Sequence, residues 1–167
     1  VLITAPFGGS LRLLCGTAGA DFRPFLQSDH SDVAYAAPAG PNEVALLMGA
    51  SGKRQIAFAS VSNGVLRRTV SIPGGNATAI AVSVSLKTMY YVAEGAIYSM
   101  PEGGGTPVRI AAGNDLAMSP SGRMLVIHDG KSMVRIELPA GVPEPIVLPA
   151  GIRLASVRLS PSAIDGE

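Results

Sequence analysis

The stretch Ala117–Leu138, AMSPSGRMLVIHDGKSMVRIEL, decides the fold of this chain. It contains three short apolar runs that are separated by two turn signals, Ser-Pro-Ser-Gly and Asp-Gly. Apolar runs of this length, bounded by Gly, Pro, Ser and Asp, are typical of β-strands joined by tight turns. The stretch therefore predicts three successive antiparallel strands.

The same pattern of apolar runs and turns occurs at two earlier places in the sequence. Dipeptides suited to two-residue hairpins are Asn63-Gly64, Glu94-Gly95 and Asp129-Gly130. Such pairs predict type I′ turns, in which both central residues have positive φ. A second set of turns, ASGK, SLKT and PSGR, enters the hairpins at Lys53, Lys87 and Arg123.

Both sets of turns repeat along the chain, and the repeat indicates the architecture. A period of roughly 40 residues with about four strands per unit is typical of the blades of a β-propeller. We therefore predict an all-β fold, a β-propeller of about four blades or a partial propeller, built from four-stranded antiparallel blades.

Three repeat units and part of a fourth can be delimited. They are predicted at Glu43–Ile72, Thr78–Ala111 and Asn114–Leu148, and Ile152–Glu167 opens the fourth with one strand. PVRIA and EPIVLP are the expected outer strands of the second and third units. The first sixteen residues read as strand, Pro-Phe-Gly-Gly turn and strand, which suggests the second half of a unit. Residues 17–41 are irregular, and we expect one or two short strands there, including Val33–Ala36.

These boundaries bear on whether the chain closes a ring. The chain begins in the middle of one predicted blade and ends after the first strand of another. We therefore expect one propeller domain over residues 1–167 that belongs to a larger propeller protein. Open blade edges would then favour self-association. The alternative is that Val1–Cys15 pairs with Ile152–Glu167 and closes a four-bladed ring.

The apolar residues of the first strands should form the core. We predict that eight residues lie on the innermost strands or pack beside them: Val44, Leu46, Ile80, Val82, Leu116, Met118, Val157 and Leu159.

Composition excludes several functional classes. The formal net charge is +1 with acids and bases interspersed, so nothing indicates a nucleic-acid surface or a polybasic membrane patch. No run approaches the length of a membrane-spanning helix, and no apolar period of 3.6 residues predicts much helix. The single cysteine, Cys15, lies in SLRLLCG, a predicted buried strand, and we interpret it as a small apolar core residue.

Three short segments resemble chemical motifs. The segment Gly49–Arg54, GASGKR, resembles the end of a phosphate-binding loop but lacks its first Gly and its final Ser or Thr, so a turn explains it better. The run at residues 29–32, Asp-His-Ser-Asp, is too poor in ligands for a metal site and is interpreted as a solvated loop. His128 precedes a hairpin tip, where we expect an exposed and incidental side chain. Serines occur without a Gly-x-Ser-x-Gly elbow. We assign no catalytic residue, metal ligand or cofactor.

Parts of the chain resemble the WD40-like (PD40) repeats of TolB-type propellers. The matching stretches are MSPSGRMLVI at Met118–Ile127, VSLKTMYYV at Val84–Val92 and LSPSAIDGE at Leu159–Glu167. In the family, the first strand ends in Ser-Pro-Asp-Gly-Lys. This chain has Ser121 in place of the Asp, and the unit at 84–88 lacks the Pro and the Gly of that pattern. The resemblance implies a bacterial, often exported scaffold for protein or small-ligand contact, and therefore an extracytoplasmic location. It implies no activity.

Three functions remain open at this stage. A non-catalytic binding or sensor propeller is favoured; the others are part of a hydrolase-like propeller enzyme whose active site lies outside this chain, and a structural repeat for assembly. In a propeller, the loops from outer strands to the next inner strands border the channel mouth. The predicted binding residues, for a protein or small ligand, lie in those loops: Asn76, Asn114, Asp115 and Arg153.

Overall fold

The structure is a computed structural model that describes residues 2–7, 10–17, 19–26 and 32–157. These residues form fifteen β-strands and contain no helix, so none of them belongs to a helix that could span a membrane. The predicted all-β fold is confirmed. The chain divides into two compact units, Val1–Ile80 and Ala81–Glu167.

The first unit begins with a three-stranded sheet. Its strands are β1 (Leu2–Phe7), β2 (Ser10–Cys15) and β3 (Arg23–Pro24), in the order β1-β2-β3. β1 and β2 pair antiparallel, with Leu2 opposite Cys15, as the strand–turn–strand prediction requires. Cys15 is half-buried rather than fully buried, because it lies at the end of β2.

The second sheet of this unit has four antiparallel strands in sequence order. They are β4 (Val33–Pro38), β5 (Glu43–Met48), β6 (Gln55–Ser60) and β7 (Leu66–Ser71). A single apolar cluster packs the two sheets of the unit together. Its buried members are Leu13, Phe25, Leu26, Val33, Val44, Leu46, Met48, Ala57 and Ala59.

The predicted boundary of the first repeat is wrong by one strand. The unit predicted at Glu43–Ile72 starts earlier, at β4, and β5 is its second strand. The turn ASGK therefore joins the second strand to the third, whereas SLKT and PSGR join a first strand to a second. ASGK resembles PSGR but lies in a different connection, which is why the spacing of the turns misplaced the repeat. The strand that follows Asn63-Gly64, predicted as the third of its unit, is β7, the outer strand of the sheet.

The second unit contains two more four-stranded antiparallel sheets, and the chain enters it within β8. The first sheet comprises β8 (Ala79–Ser83), β9 (Thr88–Ala93), β10 (Ala96–Pro101) and β11 (Val108–Ala112). The second comprises β12 (Asp115–Met118), β13 (Met124–His128), β14 (Met133–Glu137) and β15 (Glu144–Ile146). In both, the strands pair in sequence order. PVRIA is confirmed as an outer strand, and EPIVLP forms one only over Glu144–Ile146.

The hairpin positions are confirmed, but the type I′ geometry holds at only one of them. Glu94 and Gly95 have φ of 52° and 71°. At the other two hairpins only the glycine has positive φ, 67° at Gly64 and 95° at Gly130. There the Asn63 and Asp129 side chains accept hydrogen bonds from backbone N–H groups two residues on, which replaces the two-residue turn by an Asx turn in a longer loop.

The predicted core is largely confirmed. Val44, Leu46, Ile80, Val82, Leu116 and Val157 are buried, and Met118 is half-buried. Val44 and Leu46 lie on the second strand of their sheet and not the first. Leu159 lies outside the described residues. The strand predicted to open at Ile152 does not form over residues 152–157, and residues 158–167 are outside the description, so ring closure stays a prediction.

The two sheets of the second unit are joined at one end by buried serines. Ser83, at the end of β8, donates a 2.6 Å hydrogen bond to the carbonyl oxygen of Gly122 in the β12–β13 turn. The Ser119 hydroxyl accepts the backbone N–H of Met124 and closes that turn. This end of the sheets is therefore fixed, and the loops at the other end are the ones that carry the predicted binding residues.

Candidate functional site

In the first unit, the segment that follows β7 folds against the β5–β6 hairpin. The Arg54 N–H donates to the Gly75 carbonyl at 3.1 Å, and the Arg54 guanidinium donates to the Ala77 carbonyl at 2.6 Å. Gly75 has φ +62° and lies so close to the hairpin that a Cβ would collide with Gly52. Asn76 is exposed at the bend, and Lys53 is exposed beside it without a described side-chain partner.

In the second unit, the corresponding link between β11 and β12 is held in the same manner. The Gly113 N–H donates to the Gly95 carbonyl at 3.0 Å, and the Asn114 N–H donates to the His128 carbonyl at 2.7 Å. The Asn114 side-chain nitrogen donates to the Asp129 carbonyl at 2.9 Å. The Asn114 amide is exposed, but one of its functions is to anchor the β13–β14 hairpin.

Asp115 is not exposed in a loop, as the sequence predicted, but is buried and joins two segments of the chain. It is 8% exposed, and its carboxylate accepts the N–H of Leu116 at 2.9 Å and the N–H of Val157 at 3.1 Å. Val157 packs on Ala117 and Val126 on the β12–β15 sheet. Asp115 therefore fastens the segment that follows β15 to the start of β12, across many residues of sequence.

His128 lies directly opposite Asp115 on the neighbouring strand. The two residues are register partners, and Nε2 of His128 is 3.6 Å from the Asp115 carboxylate. The expectation of an exposed turn histidine is wrong, because His128 is the last residue of β13 and is 3% exposed. Every residue of β13 after the first is buried, so alternation does not bring the ring to solvent.

A single described hydrogen bond to the ring sets the tautomer of His128. Nδ1 accepts the backbone N–H of Gly130 at 3.1 Å, so Nδ1 carries the lone pair and the proton of the neutral ring is on Nε2. Nε2 points to Asp115 but is beyond hydrogen-bond distance, and it has no hydrogen-bond partner among the described residues. Neither nitrogen is presented to solvent, so this His–Asp pair lacks the free nitrogen that a general base needs.

Asp129, at the hairpin tip, has a structural role as well. Its carboxylate accepts the N–H groups of Ser132 at 2.7 Å and Lys131 at 2.8 Å, and the Ser132 hydroxyl at 2.9 Å. These bonds, from Ser132 first and Lys131 second, lower the pKa of Asp129 from 3.8 to about 2. The bonds stabilise the carboxylate form, which shapes the loop on which Lys131 stands.

Among the described residues at this end of the second unit, two cations have no side-chain partner. Lys131 and Arg153 are exposed, and neither side chain makes a hydrogen bond or ion pair with a described residue. The segment that carries Arg153 is held to the hairpin by a 3.4 Å bond from the Leu154 N–H to the Gly130 carbonyl. The backbone of both loops is therefore anchored, while the charged side chains remain available.

The sequence-based site is thus divided between the two units. Asn114, Asp115 and the segment of Arg153 lie at one end of the second unit, and Asn76 has the equivalent place beside a hairpin of the first. His128 was missed as a partner of Asp115, although counting outward from the turn Pro120–Arg123 pairs the two residues. No sequence pattern indicates that the Val157 N–H donates to Asp115.

No metal site is found among the described residues, which contain no group of three or more His, Cys, Asp and Glu side chains suited to one. Of the run at 29–32, only Asp32 is described; it is exposed and has φ of 66°. GASGKR is the β5–β6 hairpin, as the turn interpretation predicts.

Comparison with known proteins defines the fold. No family model matches the chain, and no curated protein matches it. It is similar to a chain of the crystal structure of a nidogen/laminin complex, with a TM-score of 0.62, 13% identity, and coverage of 86% of this chain and 59% of that one. It is similar to TolB from Acinetobacter baumannii, with a TM-score of 0.61, 15% identity, and coverage of 81% and 37%.

These similarities show the fold alone. The chain has a β-propeller fold built from four-stranded antiparallel sheets, as the sequence predicts. It spans less than two thirds of the length of either similar chain. The WD40-like repeat type is matched by no family model and stays a prediction.

Proposed function

We propose that this chain is part of a non-catalytic β-propeller that binds a protein partner through the loop end of its second unit. The observation that carries the proposal is the pair of exposed cations, Lys131 and Arg153, on loops whose backbones are anchored. One of the solved structures similar in fold is a complex of nidogen with laminin, which supports a role in protein contact.

The chemistry of this surface indicates an acidic partner. Because the backbone of both loops is already anchored, it loses little conformational freedom on binding, which favours affinity. Rim charges also steer a partner of opposite charge and accelerate association. Asn114 keeps its side-chain oxygen for a further contact, because the described bond uses only its nitrogen.

A non-catalytic role is supported by His128, whose Nδ1 accepts a backbone N–H and whose Nε2 is buried against Asp115. We place the protein outside the cytoplasm of a bacterium as part of the same proposal. That location rests on the TolB-type resemblance and the similarity to TolB. Asn76 beside Lys53 is the corresponding candidate in the first unit.

The test is charge reversal at this surface. The variant carries Lys131→Glu and Arg153→Glu, and its matched control carries Lys87→Glu and Arg123→Glu in the turns at the opposite end of the same sheets. Both pairs are exposed, so both variants should fold. Proteins captured by each form are quantified against the wild type, and the affinity of each identified candidate is then measured with purified proteins.

We expect at least one acidic protein to bind the wild type and the control alike and to bind the loop-end variant at least tenfold more weakly. That weakening should diminish as salt rises, because exposed charge pairs are screened. Equal loss of binding in both variants, or no loss in either, would contradict the proposed surface. Retained protein binding together with loss of a small ligand would contradict the choice of a protein partner.

A further inference from the structure

A cavity lies inside the second unit, away from the loop end. It has a volume of about 240 Å³ and is bounded by β9, β10 and β11, by β14 and by the segment after β14. Its apolar lining includes Ile110, Ile136, Leu138 and Pro143. An apolar cavity of about 150 Å³ already accommodates benzene, so this one is large enough for a substituted ring.

One polar group of the lining has no partner. Tyr90 is 3% exposed, and its hydroxyl makes no hydrogen bond with any described residue. The hydroxyl oxygen is not among the fully buried polar atoms that lack a partner, so part of its surface remains accessible. Tyr90 is one of the residues that line the cavity.

The other polar side chains of the lining are already bonded. The Ser99 hydroxyl donates to the Val108 carbonyl at 3.4 Å, and the Thr88 hydroxyl donates to the Leu86 carbonyl at 3.0 Å. Ser99 and Tyr90 are register partners on adjacent strands, so their side chains project from the same face of the sheet. The lining thus combines apolar and polar side chains, and the Tyr90 hydroxyl is a donor in it without a described acceptor.

We propose that this cavity is a binding site for a small, mainly apolar molecule with one ring and one hydrogen-bond acceptor that takes the proton of the Tyr90 hydroxyl. An unpaired polar group in a nearly buried position is costly, and an acceptor on the ligand removes that cost. Desolvation raises the pKa of Tyr90, so the phenol remains a neutral donor over the physiological range. The site is independent of the protein-binding surface.

The probe for the test is acetophenone, which has one ring and one carbonyl acceptor. Isopropylbenzene has a similar shape and no acceptor, and it serves as the matched probe. Binding to the full chain is followed by NMR of ¹³C-labelled isoleucine methyl groups. Ile110 and Ile136 report on the cavity, and Ile56, buried in the first unit, is the internal control.

We expect saturable shifts at Ile110 and Ile136 with acetophenone and none at Ile56. Tyr90→Phe keeps the ring and removes the donor, so it should weaken acetophenone binding by roughly threefold to tenfold and leave isopropylbenzene binding unchanged. Ile110→Trp should fill the cavity and abolish both. The signal of Ile127, which is buried in the second unit outside the cavity lining, confirms that each variant is folded.

Three outcomes would overturn the proposal. The first is the absence of saturable shifts at millimolar probe, which would mean that the cavity holds only water. The second is equal shifts at Ile56, which would show unspecific binding. The third is an unchanged affinity of Tyr90→Phe for acetophenone, which would remove the role of the hydroxyl.

Discussion

At the scale of single residues, the second unit depends on two carboxylates with different surroundings. Asp115 is buried and binds two backbone N–H groups, one of which belongs to the remote Val157. Asp129 is exposed and binds the N–H groups of its own loop. The first joins distant segments, and the second shapes a turn, so their removal should have different consequences.

Asp115→Ala should lower the free energy of unfolding by about 2–4 kcal/mol, because it leaves the buried N–H groups of Leu116 and Val157 without an acceptor. Asp129→Ala, at an exposed site, is the matched control and should cost clearly less. Urea unfolding measures both. A loss at Asp115 no larger than that at Asp129 would contradict the role of Asp115 in joining the two segments.

Asp129 also predicts a dependence on pH. Its pKa is about 2 in the folded protein and 3.8 in the reference state, so folding favours the ionised form. The stabilisation is therefore complete above about pH 4 and is lost as the pH falls towards 2. We expect the protection of the Lys131 and Ser132 amides against hydrogen exchange, measured relative to the intrinsic exchange rate at each pH, to fall over that range. Asp129→Asn should abolish this step; an unchanged step would assign it to another group.

At the scale of elements, glycines set how closely loops approach. Gly64, in the β6–β7 loop, lies so near the carbonyl of Phe25 that a Cβ would collide with it. Gly130, in the β13–β14 loop, has nothing within 4 Å of the same position. Both have positive φ, so they share the backbone requirement and differ only in the close approach.

Gly64→Ala should therefore destabilise the protein far more than Gly130→Ala. The shared backbone strain costs about 1–2 kcal/mol, and displacement of the segment at Phe25 should add at least about 2 kcal/mol more at Gly64, since backbone rather than a flexible side chain must move. Thermal unfolding of the two variants measures the difference. Equal losses would show that the loop and the Phe25 segment adjust freely.

At the scale of the whole molecule, the sheet edges differ in how they are protected. β7 and β11 contain arginines, and β15 is three residues long and contains Pro145, all features that discourage edge-to-edge pairing. β1 forms an edge of its sheet with the uncharged sequence LITAPF, and no described strand pairs with its other side. We expect this edge to mediate self-association.

Ala5→Lys on β1 should therefore reduce self-association, because a charge on an edge strand opposes pairing with a second chain. Val84→Lys, at an exposed position in the β8–β9 turn, is the control. Sedimentation velocity over a range of concentrations measures the mass of each form. A wild type that remains monomeric at all concentrations would contradict the expectation, as would equal effects of the two substitutions.

Local patterns predicted the strands and most turn positions, since each depends on a few adjacent residues. Glu94-Gly95 is an example, where the pair alone indicates the hairpin. The predicted boundary of the first repeat was wrong by one strand, because the turn ASGK resembles turns that join other pairs of strands. The Asp115–His128 pair follows from register counting, but the bond to Val157 depends on packing across many residues. The Tyr90 cavity arises where two sheets meet, and no single strand encodes it.

The bond from the Gly130 N–H to Nδ1 of His128 makes that ring a natural spectroscopic reporter. The two ring nitrogens of a histidine fixed in the Nε2–H tautomer have well separated ¹⁵N resonances, whereas rapid exchange between tautomers averages them. Because Asp115 contacts both this ring and the Val157 N–H, release of the distal segment alters the surroundings of Nε2. Isotope labelling of histidine alone would thus report the docking of that segment without an attached probe.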